Sequence, residues 1–165
     1  VNSVLPFKND LYITKITGKT LRQAFERSAE LRTSDNNGGY LQVSGVHVVY
    51  DYERKIGNRV VSLHVRCDEC DVPSYSALEE SKFYNVIVPS FLLEGGDGHK
   101  FKEDTNPYTQ KLQLNDQEAL TQYLSKRDYV YPEIEGRIFG SGGAAALTVS
   151  MMASIGAILM AYLFH

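Results

Sequence analysis

The sequence predicts an α+β domain, a mixed sheet with covering helices, followed by a hydrophobic C-terminal tail. Three observations carry that expectation. Short runs alternate apolar and polar residues at 11–16, 46–51, 59–66 and 83–88; one segment, 21–31, has strong helical periodicity; and strands and helices follow one another without a regular βαβ alternation. The chain has 165 residues, 43% of them hydrophobic, which is one domain's worth of core. The predicted division is a domain over 1–139 and a tail over 140–165.

Residues 11–16 combine β-branched and aromatic side chains and read as a strand ended by Thr17-Gly18. A helix should follow, because Leu21, Ala24, Phe25, Ser28 and Leu31 recur at three- and four-residue steps with charged residues on the other faces. Residues 33–39 contain no apolar side chain and form a loop, with Tyr40 the first residue beyond it. Segments 40–45 and 46–51 are expected to be an extended pair interrupted at Gly45, and 59–66 an antiparallel return after a charged turn at 52–58. A further strand is expected at 83–88, irregular structure over 102–112, a helix capped by Asn115 or Asp116 running through Lys126, and short extended pieces over 129–139.

A net charge of −3 with acids and bases interspersed leaves no basic face, so nucleic acid is excluded as a partner. The chain opens at Val1 with no initiating Met and no leader, and Val4-Leu5-Pro6-Phe7 reads as the inside of a domain. The expectation is the C-terminal portion of something longer. Residues 144–164 carry no charge, and only Thr148, Ser150 and Ser154 are polar. Small residues at 140–144 before a terminal apolar run form the signal for exchange onto a glycosylphosphatidylinositol anchor. A single membrane span and a buried helix are the alternatives.

Cys67-Asp68-Glu69-Cys70 is open to three readings: a redox pair, half of a zinc site, or a short disulfide. The oxidising compartment that an anchor signal implies favours the disulfide. Four histidines, His47, His64, His99 and His165, show no ligand spacing, so no metal site is expected in this chain. The stretch from Val86 to Gly98 is the most suggestive. An apolar run breaks at Pro89 into Phe91, an acid and three glycines. Phe91 offers a flat face, Asp97 an acceptor for hydroxyls, and Gly95 and Gly96 a backbone that a ligand can approach closely. The competing reading is a strand end and tight turn with Phe91 in the core.

Several motifs stand in one order: 40–45 running into His47-Val48-Val49-Tyr50-Asp51, Cys67 to Cys70, Val88-Pro89-Ser90-Phe91, Gly95-Gly96-Asp97-Gly98, and Tyr131-Pro132-Glu133 with Glu135-Gly136-Arg137-Ile138. Together they resemble the C-terminal domain of animal ecto-5'-nucleotidases, with the first part of that domain lying upstream of Val1. The resemblance implies that Tyr40 and Phe91 sandwich a base and that Asp97 accepts hydrogen bonds from ribose hydroxyls. It also implies that Cys67 and Cys70 form a short disulfide and that Ser141 is the anchor attachment residue. Two zinc ions and the catalytic groups would belong to an N-terminal domain outside this chain, so no residue here is expected to be catalytic. The implied activity is hydrolysis of nucleoside 5'-monophosphates, such as AMP to adenosine and phosphate, at the extracellular face of the plasma membrane. A membrane through a lipid anchor and a second copy in a homodimer are the further partners. An apyrase acting on ATP and ADP, or an inactive tethered nucleoside-binding module, are the alternative readings. The sequence departs from the resemblance at Tyr40, where Phe is usual, at His99, which replaces an aromatic, and over 102–113.

Overall fold

The computed structural model describes residues 1–32, 38–103, 108–131 and 133–141. Along the chain stand β1 (Asp10–Thr17), α1 (Gly18–Leu31), β2 (Val46–Asp51), β3 (Val60–Arg66), β4 (Tyr75–Ala77) and β5 (Phe83–Pro89). They are followed by α2 (Ser90–Leu93), 3-10 turns at Gly96–Gly98 and Phe101–Glu103, β6 (Thr109–Asn115), α3 (Asp116–Ser125) and β7 (Ile138–Ser141). The strands form two sheets, ordered β5-β1-β6 and β4-β3-β2-β7. All pairings are antiparallel except β2 with β7, which gives the second sheet its mixed character.

Helix α1 packs against β1 of one sheet and β3 of the other. Thr17 caps its start by accepting from the Thr20 amide at 3.2 Å. The predicted apolar stripe is the buried one: Leu21, Ala24, Phe25, Ser28 and Leu31 are all buried, and Leu21, Ala24 and Phe25 share one core cluster with Ile16 and Val88 of the first sheet and Val48, Tyr50, Leu63 and Val65 of the second. Burying a large apolar side chain of this kind contributes about 1.5–3 kcal/mol. Polar contacts fix the same helix to the second sheet. Both carboxylate oxygens of Glu26 accept backbone amides at the head of β3, from Arg59 at 2.8 Å and Val60 at 2.9 Å. The buried Arg59 guanidinium returns a 2.8 Å hydrogen bond to the Ala29 carbonyl near the helix C-terminus.

Two expected element assignments are corrected. Residues 40–45 are not a strand: the Leu41 amide donates to Ser28 Oγ of α1 at 2.9 Å, so a helix side chain takes the place of a ladder partner. Within 102–112, expected to be irregular, β6 begins at Thr109 and pairs with β1, the Lys111 ammonium meeting Asp10 at 2.5 Å. The predicted helix start holds, since Asn115 and Glu118 form a capping box at α3. Strand β7 runs across the expected boundary at 139/140, and the predicted tail beyond it lies outside the described residues.

Candidate nucleoside-binding site

Strand β5 ends at Pro89, and a single helical turn, α2, swings the chain away from the sheet. Leu93 faces inward and is 7% exposed, whereas Phe91 is 48% exposed, so the apolar half of the turn anchors it and the aromatic is presented to solvent. A reversal follows in which Gly95 (φ 99°), Asp97 (φ 54°, ψ 17°) and Gly98 (φ 76°) all occupy the left-handed half of backbone space. For Asp97, a residue with Cβ, that conformation costs on the order of 1–2 kcal/mol, and the surroundings must hold it. They do so with hydrogen bonds donated by the Gly98 amide to the Gly95 carbonyl and by the His99 amide to the Gly96 carbonyl, each 3.1 Å, and with Arg27 of α1, whose Nε donates to the Asp97 carbonyl at 2.8 Å.

Two glycines set how closely the parts approach. A Cβ on Gly96 would lie 2.5 Å from the Phe91 ring, so the ring folds down onto the turn. A Cβ on Gly39 would lie 3.0 Å from Asp97 Oδ2 and would overlap Leu31, so the backbone leading into Tyr40 is pressed against the Asp97 side chain. The contacts therefore run from Phe91 to Gly96 and from Asp97 to Gly39, with Tyr40 next in the chain. All five expected substrate-binding residues, Tyr40, Phe91, Gly95, Gly96 and Asp97, fall on these two adjoining segments. Among the described residues, the Tyr40 and Phe91 rings are not stacked on each other.

Tyr40 is half-buried and belongs to an aromatic cluster. Its hydroxyl lies 3.1 Å from that of Tyr52, its ring is tilted on Tyr50 at 6.2 Å, and the Arg32 guanidinium sits 4.0 Å over the Tyr52 ring. Burial, with the Tyr52 hydroxyl adding to it, raises the Tyr40 phenol above its ordinary value despite Arg32, so it stays a neutral donor.

The remaining expected residues lie elsewhere. Cys67 and Cys70 form a disulfide with Cα atoms 5.6 Å apart, and the Cys67 amide closes the exposed turn on the Ser74 carbonyl at 2.8 Å. Ser141 ends β7, where its hydroxyl donates to the Tyr50 carbonyl at 3.0 Å. Among the described residues no three His, Cys, Asp or Glu side chains gather to hold a metal ion. Nor, among them, is any helix long and apolar enough to cross a membrane. Sequence reasoning missed the supports of the site, namely Arg27, Gly39 and the burial of His99. Only Gly38-Gly39 directly before an aromatic hinted at them, by marking a place where two segments pass closely.

A family profile described as 5'-nucleotidase, C-terminal domain, matches residues 1–103. The chain belongs to that family. Within the 5'-nucleotidase C-terminal domain family, it is 44% identical over 144 residues to the 5'-nucleotidase of Bos taurus and 42% identical over 144 residues to that of Homo sapiens. Each alignment covers 86% of this chain and 24% of the relative, so the chain spans about a quarter of the length of these curated relatives. The solved 5'-nucleotidase precursor from Thermus thermophilus superposes with a TM-score of 0.75 at 30% identity, over 86% of this chain and 27% of that one. The NAD nucleotidase of Haemophilus influenzae, at 21% identity and a TM-score of 0.69, shares the fold.

Proposed function

We propose that this chain is the nucleoside-binding part of an extracellular, membrane-anchored 5'-nucleotidase that hydrolyses nucleoside 5'-monophosphates. The observation that supports the reading is the close approach of Gly39 to the Asp97 side chain, which sets the backbone leading into Tyr40 beside the turn that follows Phe91. Tyr40 and Phe91 stack on the two faces of the base. Such stacking is worth about 1–3 kcal/mol per base and accepts any base, so it supplies affinity more than base discrimination. The Asp97 carboxylate accepts from the vicinal hydroxyls of ribose through charge-assisted hydrogen bonds, which favours ribose over deoxyribose. Two zinc ions, held by a domain preceding this chain, would supply the activated water for hydrolysis, while the residues here orient the nucleoside. The attachment of a lipid anchor at Ser141 and pairing into a homodimer complete the proposal. The 5'-nucleotidase relatives from Bos taurus and Homo sapiens support the monophosphate reading.

Phe91→Ala in the full-length protein tests it. KM for AMP should rise by about tenfold or more with kcat little changed, as expected when one stacking face is lost. An unaltered KM would remove Phe91 from the site.

A further inference from the structure

Beneath the Gly95–Gly98 reversal lies a histidine that the proposed contacts leave unused. His99 is 2% exposed, and among the described residues neither ring nitrogen meets a hydrogen-bond partner in good geometry. A buried polar group without a partner is rare in a folded protein and calls for an explanation. One face of the ring lies against Phe101, with centroids 5.8 Å apart and planes 22° from parallel. The Gly39 backbone faces it as well, close enough to favour a proton on the ring but without hydrogen-bond geometry. The charged groups that face it are Asp97 from its own turn and Arg27 from α1, the latter also paired with Glu30 at 2.8 Å. Buried behind the turn, the imidazole thus lies within electrostatic reach of both halves of the seam, the backbone that carries Tyr40 and the turn that carries Asp97.

We propose that His99 is a positioning residue for the nucleoside site: neutral, it holds Gly39–Tyr40 and Asp97 at one spacing, and charged, it draws the Asp97 carboxylate inward and away from a bound sugar. The proposal rests on the nucleoside reading above. Burial is the largest influence on the ring and pushes it below the ordinary histidine value of 6.5. The Gly39 backbone and Asp97 oppose that shift, and Arg27 adds to it. The sign follows from linkage. The unfolded chain takes up the proton first as pH falls below 6.5, so stability that is full at higher pH is lost there. By reciprocity, a ligand that requires the neutral ring must weaken over the same range and must itself resist protonation of His99.

The test uses the full-length protein and adenosine as a competitive inhibitor, because the phosphate of AMP itself titrates near pH 6. Between about pH 8 and about pH 5.5 the inhibition constant of the unsubstituted protein should rise by about threefold or more. In His99→Phe, which keeps the stacking on Phe101 but cannot be charged, it should stay flat. The same pH slope in both proteins, or a flat profile in the unsubstituted one, would overturn the proposal. Should His99→Phe not fold, the imidazole ¹³C shift of His99 in the unsubstituted protein decides: saturating adenosine should move its titration to lower pH, and an unmoved titration refutes the role. Adenosine that fails to bind even at about pH 8 removes the nucleoside reading itself, and this proposal with it.

Discussion

Two small turns in this domain are held in opposite ways. At Cys67–Cys70 the chain is stapled covalently at an exposed corner, between the end of β3 and the exposed strand β4. At Gly95–Gly98 there is no covalent tie. The turn is fixed by Arg27 from the helix, by a buried imidazole and by the approach of Gly39, and it holds Asp97 in a backbone conformation that side chains disfavour. The first turn preserves the fold's edge, whereas the second spends local strain on aiming a carboxylate. Rigidity from packing can be tuned by any residue that touches it, and rigidity from a disulfide cannot.

That contrast can be broken at three places. The largest effect is expected from Asp97→Asn, since Asn also tolerates the left-handed conformation and only the charge is lost. KM for AMP should rise by about tenfold to a hundredfold, corresponding to about 1.5–3 kcal/mol for hydrogen bonds to a charged group, and the melting temperature should barely move. A KM within twofold of the original would take the carboxylate out of sugar binding. Next comes Arg27→Met, which keeps the aliphatic stem but removes the donor to the Asp97 carbonyl. A rise in KM of about three- to tenfold is expected, from a net hydrogen-bond contribution of about 0.5–1.5 kcal/mol. Loss of stability without any change in KM would mean that Arg27 supports the helix and not the turn. Replacing Cys67 and Cys70 together by Ser should do the reverse. Closing so short a loop stabilises by about 2 kcal/mol in the chain-entropy account, which denaturant titration would register, while KM stays within about twofold. A large KM increase would show that the two turns are coupled after all.

Much of this arrangement is legible in the residues, and the rest fails for identifiable reasons. The α1 stripe and the β2–β3 return are local patterns, and α3 announces itself through Asn115 and Glu118. Strand β6 escaped because its only apolar residues are Leu112 and Leu114 and its pairing with β1 spans well over half the chain. Residues 40–43 alternate like a strand, yet their backbone is satisfied by Ser28 Oγ, a partner that no local rule predicts. Phe91 and Asp97 stand out as chemistry from their own stretch, and a role for Tyr40 is suggested only by the order of the motifs. What the sequence could not reveal is the contact of Gly39 with Asp97 and the burial of His99 two residues further on. A lone histidine after a glycine turn looks like a solvated one until the fold closes over it.

The grip of Glu26 on the Arg59 and Val60 amides has a mechanical consequence. A helix normally slides or tilts against a sheet by exchanging interchangeable apolar contacts, but here one carboxylate accepts both the amide just before β3 and the first amide of β3. Any screw motion of α1 must therefore pull the end of that strand with it. Because Arg27 is the next residue along, the same displacement would reach the Asp97 carbonyl, so the second sheet acts as the ground against which the carboxylate is aimed.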